Sequence, residues 1–237
     1  MGKSQGMKTI VVPPLLCSPL AYVPILDTLW SRGQVTVADT RHDDTIAGMA
    51  ARILFENEGS FALRGTSMGG CVALEVMRQA PDRVQALALV STSARADSDE
   101  QKTARSRQST LVEEGQFDAL IDAAFPGVVA AENESDDELL ARWRAMTRPV
   151  GPEAFLRQQR AVVGRADLRS TLASITCPTG IIHGTGDRLI PFDAAEESVA
   201  LLPSARFTAI EGAGHLLFFE QAETARNAIG AWLDDAA

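Results

Sequence analysis

Three residue types stand where covalent chemistry could be done: a serine between glycines, and an aspartate and a histidine that each follow a glycine-flanked strand end. Gly65-Thr66-Ser67-Met68-Gly69-Gly70 puts a glycine two positions before and after the serine. An apolar run, 61–63, precedes it and an amphipathic segment, 71–79, follows. A sharp strand-to-helix turn lifts such a serine clear of a sheet, and glycines tolerate the close backbone approach the turn demands. The helix N-terminus beneath it offers unpaired N–H groups and a positive dipole end to a developing anion. That suits a nucleophile, although an N-cap serine in a glycine-rich turn has the same pattern.

A serine nucleophile needs a base to take its proton, and the base needs a carboxylate to hold its tautomer. The chain has three histidines: His42, His183 and His215. His42 lies in Arg41-His42-Asp43-Asp44, where capping or a surface role beside the two acids is the competing reading. His183 falls inside an apolar run and reads as core. His215 closes Gly212-Ala213-Gly214-His215 and follows the last strand pattern. Asp187 follows His183-Gly184-Thr185-Gly186, just past the end of a strand, while Asp97 is a rival acid in a polar run. Working residues of open α/β sheets gather at the carboxyl ends of strands. One helix and one strand fit between Asp187 and His215, which would bring their two loops side by side.

Those strands come from the hydrophobic pattern. Apolar runs at 7–12, 34–38, 61–66, 84–90, 179–183 and 205–210 read as six strands. Helical periodicity covers 18–30, 45–57, 67–79, 192–202 and 222–233. Between the fourth and fifth strands, 94–173 shows helical patterns only: 99–114, 117–124, 136–146, 152–164 and 167–174. The acidic run at 132–138 is a solvated turn and helix start. Strands alternating with helices predict a parallel sheet covered on both faces, with the strand-poor block packed over one edge.

With these pieces in order, the chain resembles the α/β-hydrolase superfamily over nearly its whole length. The matching segments are Gly65-Thr66-Ser67-Met68-Gly69-Gly70, Gly184-Thr185-Gly186-Asp187-Arg188-Leu189-Ile190-Pro191 and Gly212-Ala213-Gly214-His215. The resemblance implies Ser67 as nucleophile, Asp187 as acid and His215 as base. It also implies an oxyanion hole from the N–H of Met68 and a backbone N–H after the first strand. Many relatives carry His-Gly-X-Pro in that loop; this chain has Pro13-Pro14-Leu15-Leu16-Cys17. By that resemblance the donor position falls on Leu15, with Leu16 as the fallback register; Leu15 has an N–H, whereas the prolines before it have none. Relatives often begin with an antiparallel hairpin, for which few residues remain here. The expected fold is α/β: a mostly parallel six-stranded sheet lacking that hairpin, with a helical cap inserted after the fourth strand. The core spans 1–94 and 174–237, and the cap 95–173.

What this implies is acyl transfer to water, with no metal or cofactor. The substrate would be a small or medium ester, thioester or lactone, its apolar part lined by Leu16 and by Trp143 and Met146 of the cap. A carboxylesterase and an enol-lactonase both fit. The same triad also serves perhydrolases, C–C hydrolases and acyltransferases, and a non-catalytic ligand-binding protein on this scaffold stays open.

Composition bounds the rest. Of 237 residues, 46% are hydrophobic and 22% charged, which marks a globular chain with a sizeable core. A net charge of −9 argues against nucleic acid or an anionic membrane as partner. The opening residues show no apolar leader and no stretch reaches about 18 apolar residues. Cys17, Cys71 and Cys177 fit neither zinc spacing nor a disulfide framework. A cytoplasmic monomer or homodimer is expected, with its cysteines as small buried hydrophobes.

Overall fold

The computed structural model describes residues 7–235. The N-terminal stretch read above for a leader thus lies largely outside the described residues. Six strands form one sheet: β1 (Thr9–Val12), β2 (Val35–Val37), β3 (Phe61–Thr66), β4 (Val84–Val90), β5 (Thr179–Gly184) and β6 (Arg206–Ile210). Their order is β2-β1-β3-β4-β5-β6, and each neighbouring pair is parallel. Strands β1, β3 and β5 are buried along their whole length, as strands covered on both faces must be.

Helices supply the crossovers that parallel pairing requires. They are α1 (Leu26–Trp30), α2 (Ile46–Glu56), α3 (Met68–Gln79) and α9 (Asp193–Leu201), while α11 (Ala222–Asp235) follows the last strand. Between β4 and β5 the chain inserts α4 (Asp99–Glu113), α5 (Phe117–Val128), α6 (Asp137–Thr147), α7 (Pro152–Val163) and α8 (Arg169–Ala173). A short α10 (Leu217–Glu220) follows the last strand, where the sequence pattern predicts only loop. No helix among the described residues is long and apolar enough to cross a membrane.

Local chemistry sets several boundaries. The single helix expected over 18–30 is a 3-10 stretch, Pro19–Ile25, followed by the short α1. Pro24 has no N–H to continue an α-helical ladder. Thr45 caps α2 by accepting from the Gly48 N–H. Ser98 and Gln101 form a reciprocal capping box at the start of α4. Asp136 accepts from Glu138 and Leu139 to start α6, so part of the acidic run is a helix cap. Helix α5 runs past the expected end at 124 and carries the helix-breaking pair Pro126 and Gly127 in its last turn.

Apolar side chains fill both faces of the sheet. One cluster joins β1, β3 and β4 to α2, α3 and α8; the other joins them to the first helical turns and α11. A third cluster lies in the inserted helices and includes Trp143, Met146 and Phe155. It also takes in Leu16 and Cys17 from the loop after β1 and Leu216 from the loop after β6. The insertion is thereby packed onto the carboxyl ends of the strands. The strand order reverses between β1 and β3, and open sheets bind ligands in the crevice at such a switch point.

The tightest packing at that point is backbone against backbone. A β-carbon on Gly69 would stand 2.1 Å from the Val12 carbonyl oxygen, and one on Gly65 would stand 2.1 Å from the Gly69 carbonyl oxygen. Neither obstacle is a flexible side chain. Gly69→Ala is therefore expected to destabilise the fold by about 2 kcal/mol or more and to lower Tm by roughly 4–8 °C. Calorimetry of the variant beside wild type checks this, and an unchanged Tm would contradict the packing.

Candidate active site

Ser67 occupies the turn between β3 and α3 with φ 53° and ψ −119°. A non-glycine residue in this region is strained and must be held by its surroundings. Its N–H donates to the Val90 carbonyl at 2.9 Å, in line with the sheet. Its carbonyl accepts from Gly70 N–H at 2.8 Å and from the Thr92 hydroxyl at 2.7 Å. Gly70 is required beside Thr92, since a β-carbon there would come within 2.4 Å of the Thr92 side chain. The Ser67 side chain caps no N–H of the helix, which sets aside the N-cap reading.

Asp187 and His215 meet after β5 and β6. His215 Nδ1 lies 2.7 Å from Asp187 Oδ2. An ionised carboxylate only accepts, so Nδ1 carries the proton of this hydrogen bond. Asp187 Oδ1 accepts from the N–H groups of Leu189 and Ile190 at 3.0 and 2.9 Å. Burial by itself would raise the Asp187 pKa; His215 and the Ile190 N–H outweigh it and hold the carboxyl below its usual range. The glycines here serve close approach. A β-carbon on Gly184 would stand 2.3 Å from the Ala213 carbonyl oxygen, and one on Gly214 would stand 2.2 Å from the Ala130 nitrogen. Gly214 thus lets the chain leaving α5, at Val129 and Ala130, cross directly over the histidine loop.

The remaining candidates separate. His183 is buried, and its Nε2 lies 2.9 Å from the Ile190 carbonyl and 3.6 Å from Asp187 Oδ2. Burial lowers its pKa, so the neutral ring braces the Asp187 loop. His42 is exposed and pairs with Asp39 at 3.2 Å rather than with Asp43 or Asp44. Asp97 contacts no histidine; it bridges Arg105 at 2.6 Å and Arg165 at 3.0 Å. Cys17 is buried, which pushes its thiol up to about 12 and leaves it unreactive.

A cavity of about 390 Å³ joins these groups. Ser67 and His215 line it, as do Leu15, Leu16, Met68 and Trp143. Asp187 lies behind His215. Met146, expected above to line the apolar pocket, is not among the residues lining this cavity. Its side chain is buried in the third apolar cluster, and its carbonyl accepts from Ser18 N–H at 2.8 Å.

The loop after β1 shows which backbone donors are free. Leu16 has φ 64°, and its N–H donates to Gln158 Oε1 of α7 at 2.9 Å. The N–H groups of Leu15 and Met68 donate to no acceptor among the described residues. Gln158 also donates through Nε2 to Thr40 Oγ1 at 3.1 Å, so one buried amide ties the insertion to two strand-end loops. Neither Gln158 nor Thr92 is marked by any sequence motif.

Arg64 is a further unforeseen feature, visible in sequence only as a charge inside an apolar strand. It is wholly buried, with its guanidinium carbon 4.9 Å from the Tyr22 ring centre and 4.2 Å from that of Phe218. One Nη donates to Thr66 Oγ1 at 3.1 Å, while Nε and the other Nη have no partner among the described residues. Burial lowers its pKa to about 10, which leaves it cationic at neutral pH. Tyr22, Thr66 and Phe218 all line the cavity, so this charge lies just beneath its floor.

Gln158→Leu keeps the volume and removes both hydrogen bonds, leaving the Leu16 N–H buried and unpaired. A stability loss of about 1–3 kcal/mol is expected in urea unfolding. A loss below about 0.5 kcal/mol would mean that Leu16 holds its conformation unaided.

The family model for Hydrolase_4, described as serine aminopeptidase, S33, matches residues 31–222. Among curated proteins, the chain is 25% identical over 180 residues to a pimeloyl-[acyl-carrier protein] methyl ester esterase of Aliivibrio salmonicida, covering 74% of this chain and 69% of that protein. Among solved structures, a thermophilic esterase from Thermogutta terrifontis superposes with a TM-score of 0.87 at 25% identity, covering 98% of this chain and 91% of the other. The enol-lactonase from Burkholderia xenovorans LB400 gives a TM-score of 0.87 at 23% identity over 98% and 94%, a likeness of fold. The chain belongs to the Hydrolase_4 family of the α/β-hydrolase superfamily.

Proposed function

We propose that the chain is a serine hydrolase of the esterase and lactonase branch that cleaves a carboxylic ester or lactone through an acyl-enzyme on Ser67. The observation that carries this reading is the His215–Asp187 hydrogen bond at 2.7 Å, set behind a cavity that Ser67 and His215 share. The likeness to two esterases supports the reaction class. An aminopeptidase must receive a substrate ammonium, and no Asp or Glu lines this cavity among the described residues. The lining therefore favours an ester over a peptide amine terminus.

In the first half-reaction, His215 Nε2 takes the Ser67 hydroxyl proton as Oγ bonds to the substrate carbonyl carbon. The carbonyl π electrons move to oxygen, and the N–H groups of Leu15 and Met68 receive that oxyanion. Each such donor contributes about 3–4 kcal/mol to the transition state. Asp187 stabilises the imidazolium that forms. When the tetrahedral species collapses, the C–O bond to the alcohol breaks and His215 returns its proton to the leaving oxygen. In the second half, His215 deprotonates water, which attacks the acyl carbon and restores Ser67. The strained Ser67 backbone keeps Oγ directed at the cavity throughout.

Ser67→Ala should abolish hydrolysis of p-nitrophenyl butyrate, and a fluorophosphonate should label wild type on Ser67 alone. Peptide mapping that found the adduct on another residue would overturn the assignment. Asp187→Asn should keep the fold and lower kcat by about 10⁴-fold, because an amide stabilises the wrong imidazole tautomer. The same variant tests the carboxyl's place in stability. A carboxyl whose folded pKa is depressed stabilises above its unfolded value near 4, and that contribution vanishes as pH falls through the folded value. Urea-unfolding stability should therefore fall less steeply below about pH 4 in Asp187→Asn than in wild type.

A further inference from the structure

The cavity has a wall whose chemistry differs from the rest. Gln101, Ala104, Arg105 and Gln108 recur at helical spacing along α4 and line it together; Arg165, just after α7, lines it beside them. Acidic residues outnumber basic ones in the whole chain, 31 to 22, yet the cavity lining holds two arginines and no Asp or Glu among the described residues. The acid that serves them is Asp97, whose side chain is 0% exposed and lies behind the wall. It pairs with Arg105 Nε at 2.6 Å and with one Arg165 Nη at 3.0 Å.

The hydrogen bonds leave this wall rich in donors. Arg105 spends Nε on Asp97 and one Nη on Gln159 Oε1 at 3.1 Å. Arg165 spends Nε on the Arg95 carbonyl at 2.9 Å, while one of its Nη atoms stands 3.0 Å from Asp97 Oδ1 as an ion pair without hydrogen-bond geometry. At least one terminal nitrogen of each guanidinium thus has no hydrogen-bond acceptor among the described residues. The two glutamines repeat the pattern. Gln101 Oε1 accepts from the Ser98 N–H and Gln108 Oε1 accepts from Gln159, so the free end of each is its NH₂ group. Two guanidinium charges against one carboxylate leave a single positive charge. Arg64, buried beneath the floor, adds to the potential in the same sense.

A wall of donors with one uncompensated positive charge is built for a monoanion, and guanidinium pairs match the planar geometry of a carboxylate. We propose that the ester or lactone cleaved at Ser67 also carries a carboxylate, held by Arg105 and Arg165 with the amides of Gln101 and Gln108. The remaining lining, including Leu120, Ala124, Trp143, Phe155 and Phe219, accommodates the apolar carbons between the two ends. This proposal rests on the serine hydrolase reading for its reaction but not for its binding. In that division of labour the anion site selects substrate and positions the carbonyl, while Ser67 and His215 perform the bond exchange.

Two measurements separate the proposal from the reaction it rests on. In Ser67→Ala, which cannot turn over, calorimetric titration with monomethyl glutarate should give a Kd at least tenfold lower than with dimethyl glutarate. Arg105→Gln in that background should remove most of the difference, and Arg105→Lys should restore part of it. Equal affinity for the two esters would overturn the proposal, as would a tighter complex with a dianionic phosphonate of the same length. In wild type, kcat/KM for the p-nitrophenyl monoester of glutaric acid, or for a butyrate ester of glycolic acid, should exceed that for its uncharged counterpart at least tenfold. The first substrate carries the charge on the acyl side and the second on the alcohol side. Arg105→Gln should lower that ratio at least tenfold, chiefly through KM. A ratio unchanged by the substitution would make the two arginines mere struts around Asp97. Anion-dependent binding without turnover would instead count against Ser67 as nucleophile and leave the binding site standing.

Discussion

The contact between the end of β1 and the turn at Ser67 is the constraint on which the site depends. Three backbone segments meet there with no side chain between them: Val12, Gly65 and Gly69. Their proximity forces Ser67 into a conformation it would not adopt alone, and the Val90 carbonyl and Thr92 hydroxyl hold it there. The same contact sets the loop after β1 beside the first turn of α3, so the free N–H groups of Leu15 and Met68 both border the cavity. The strain at Ser67 and the free N–H groups of Leu15 and Met68 are thus two results of one packing event. Neither can be adjusted without moving the other.

The inserted helices are joined to this centre by polar ties as well as by apolar packing. Gln158 holds Leu16 and Thr40. Glu220 of α10 accepts from the Ala130 N–H at 2.7 Å and from Asn133 at 2.9 Å. Arg188, next to Asp187, reaches Glu134 at 2.5 Å and the Pro126 carbonyl. The ties land on the loop after β1, the histidine loop and the aspartate loop. The cavity roof and the loops that carry Leu16, Asp187 and His215 are therefore positioned by shared hydrogen bonds. Displacing the roof would unsettle all three loops at once.

Much of this was legible in the sequence because it is local. The glycines around Ser67, before Asp187 and around His215 are spaced by the turns they make, and their chain order follows the strands. Leu15 came from the resemblance of the loop after β1, and its N–H is one that the two prolines before it lack. Residues that act across the fold left no such trace. Gln158 lies 142 positions from the Leu16 N–H it satisfies, and nothing in α7 marks it apart from other buried polar residues. Thr92 supports Ser67 from another strand end. Trp143 and Met146 both occupy the buried side of α6, and periodicity shows that a residue is buried without showing which apolar surface it faces. Trp143 borders the cavity, and Met146, in the same apolar cluster, does not. The four-residue α10 is too short for any periodic signal.

Tyr22 is the only tyrosine in the chain, and it sits in the cavity wall over Arg64. Its hydroxyl donates to the Val12 carbonyl at 2.7 Å, the same carbonyl that Gly69 approaches. Burial pushes its pKa up to about 12, against the opposing pull of Arg64. In the unfolded chain the phenol would ionise near 10. The native protein therefore lacks tyrosinate absorbance across an alkaline window in which the unfolded chain displays it. One chromophore, placed by the fold at the junction of β1, the Ser67 turn and the buried arginine, reports optically on the integrity of that junction.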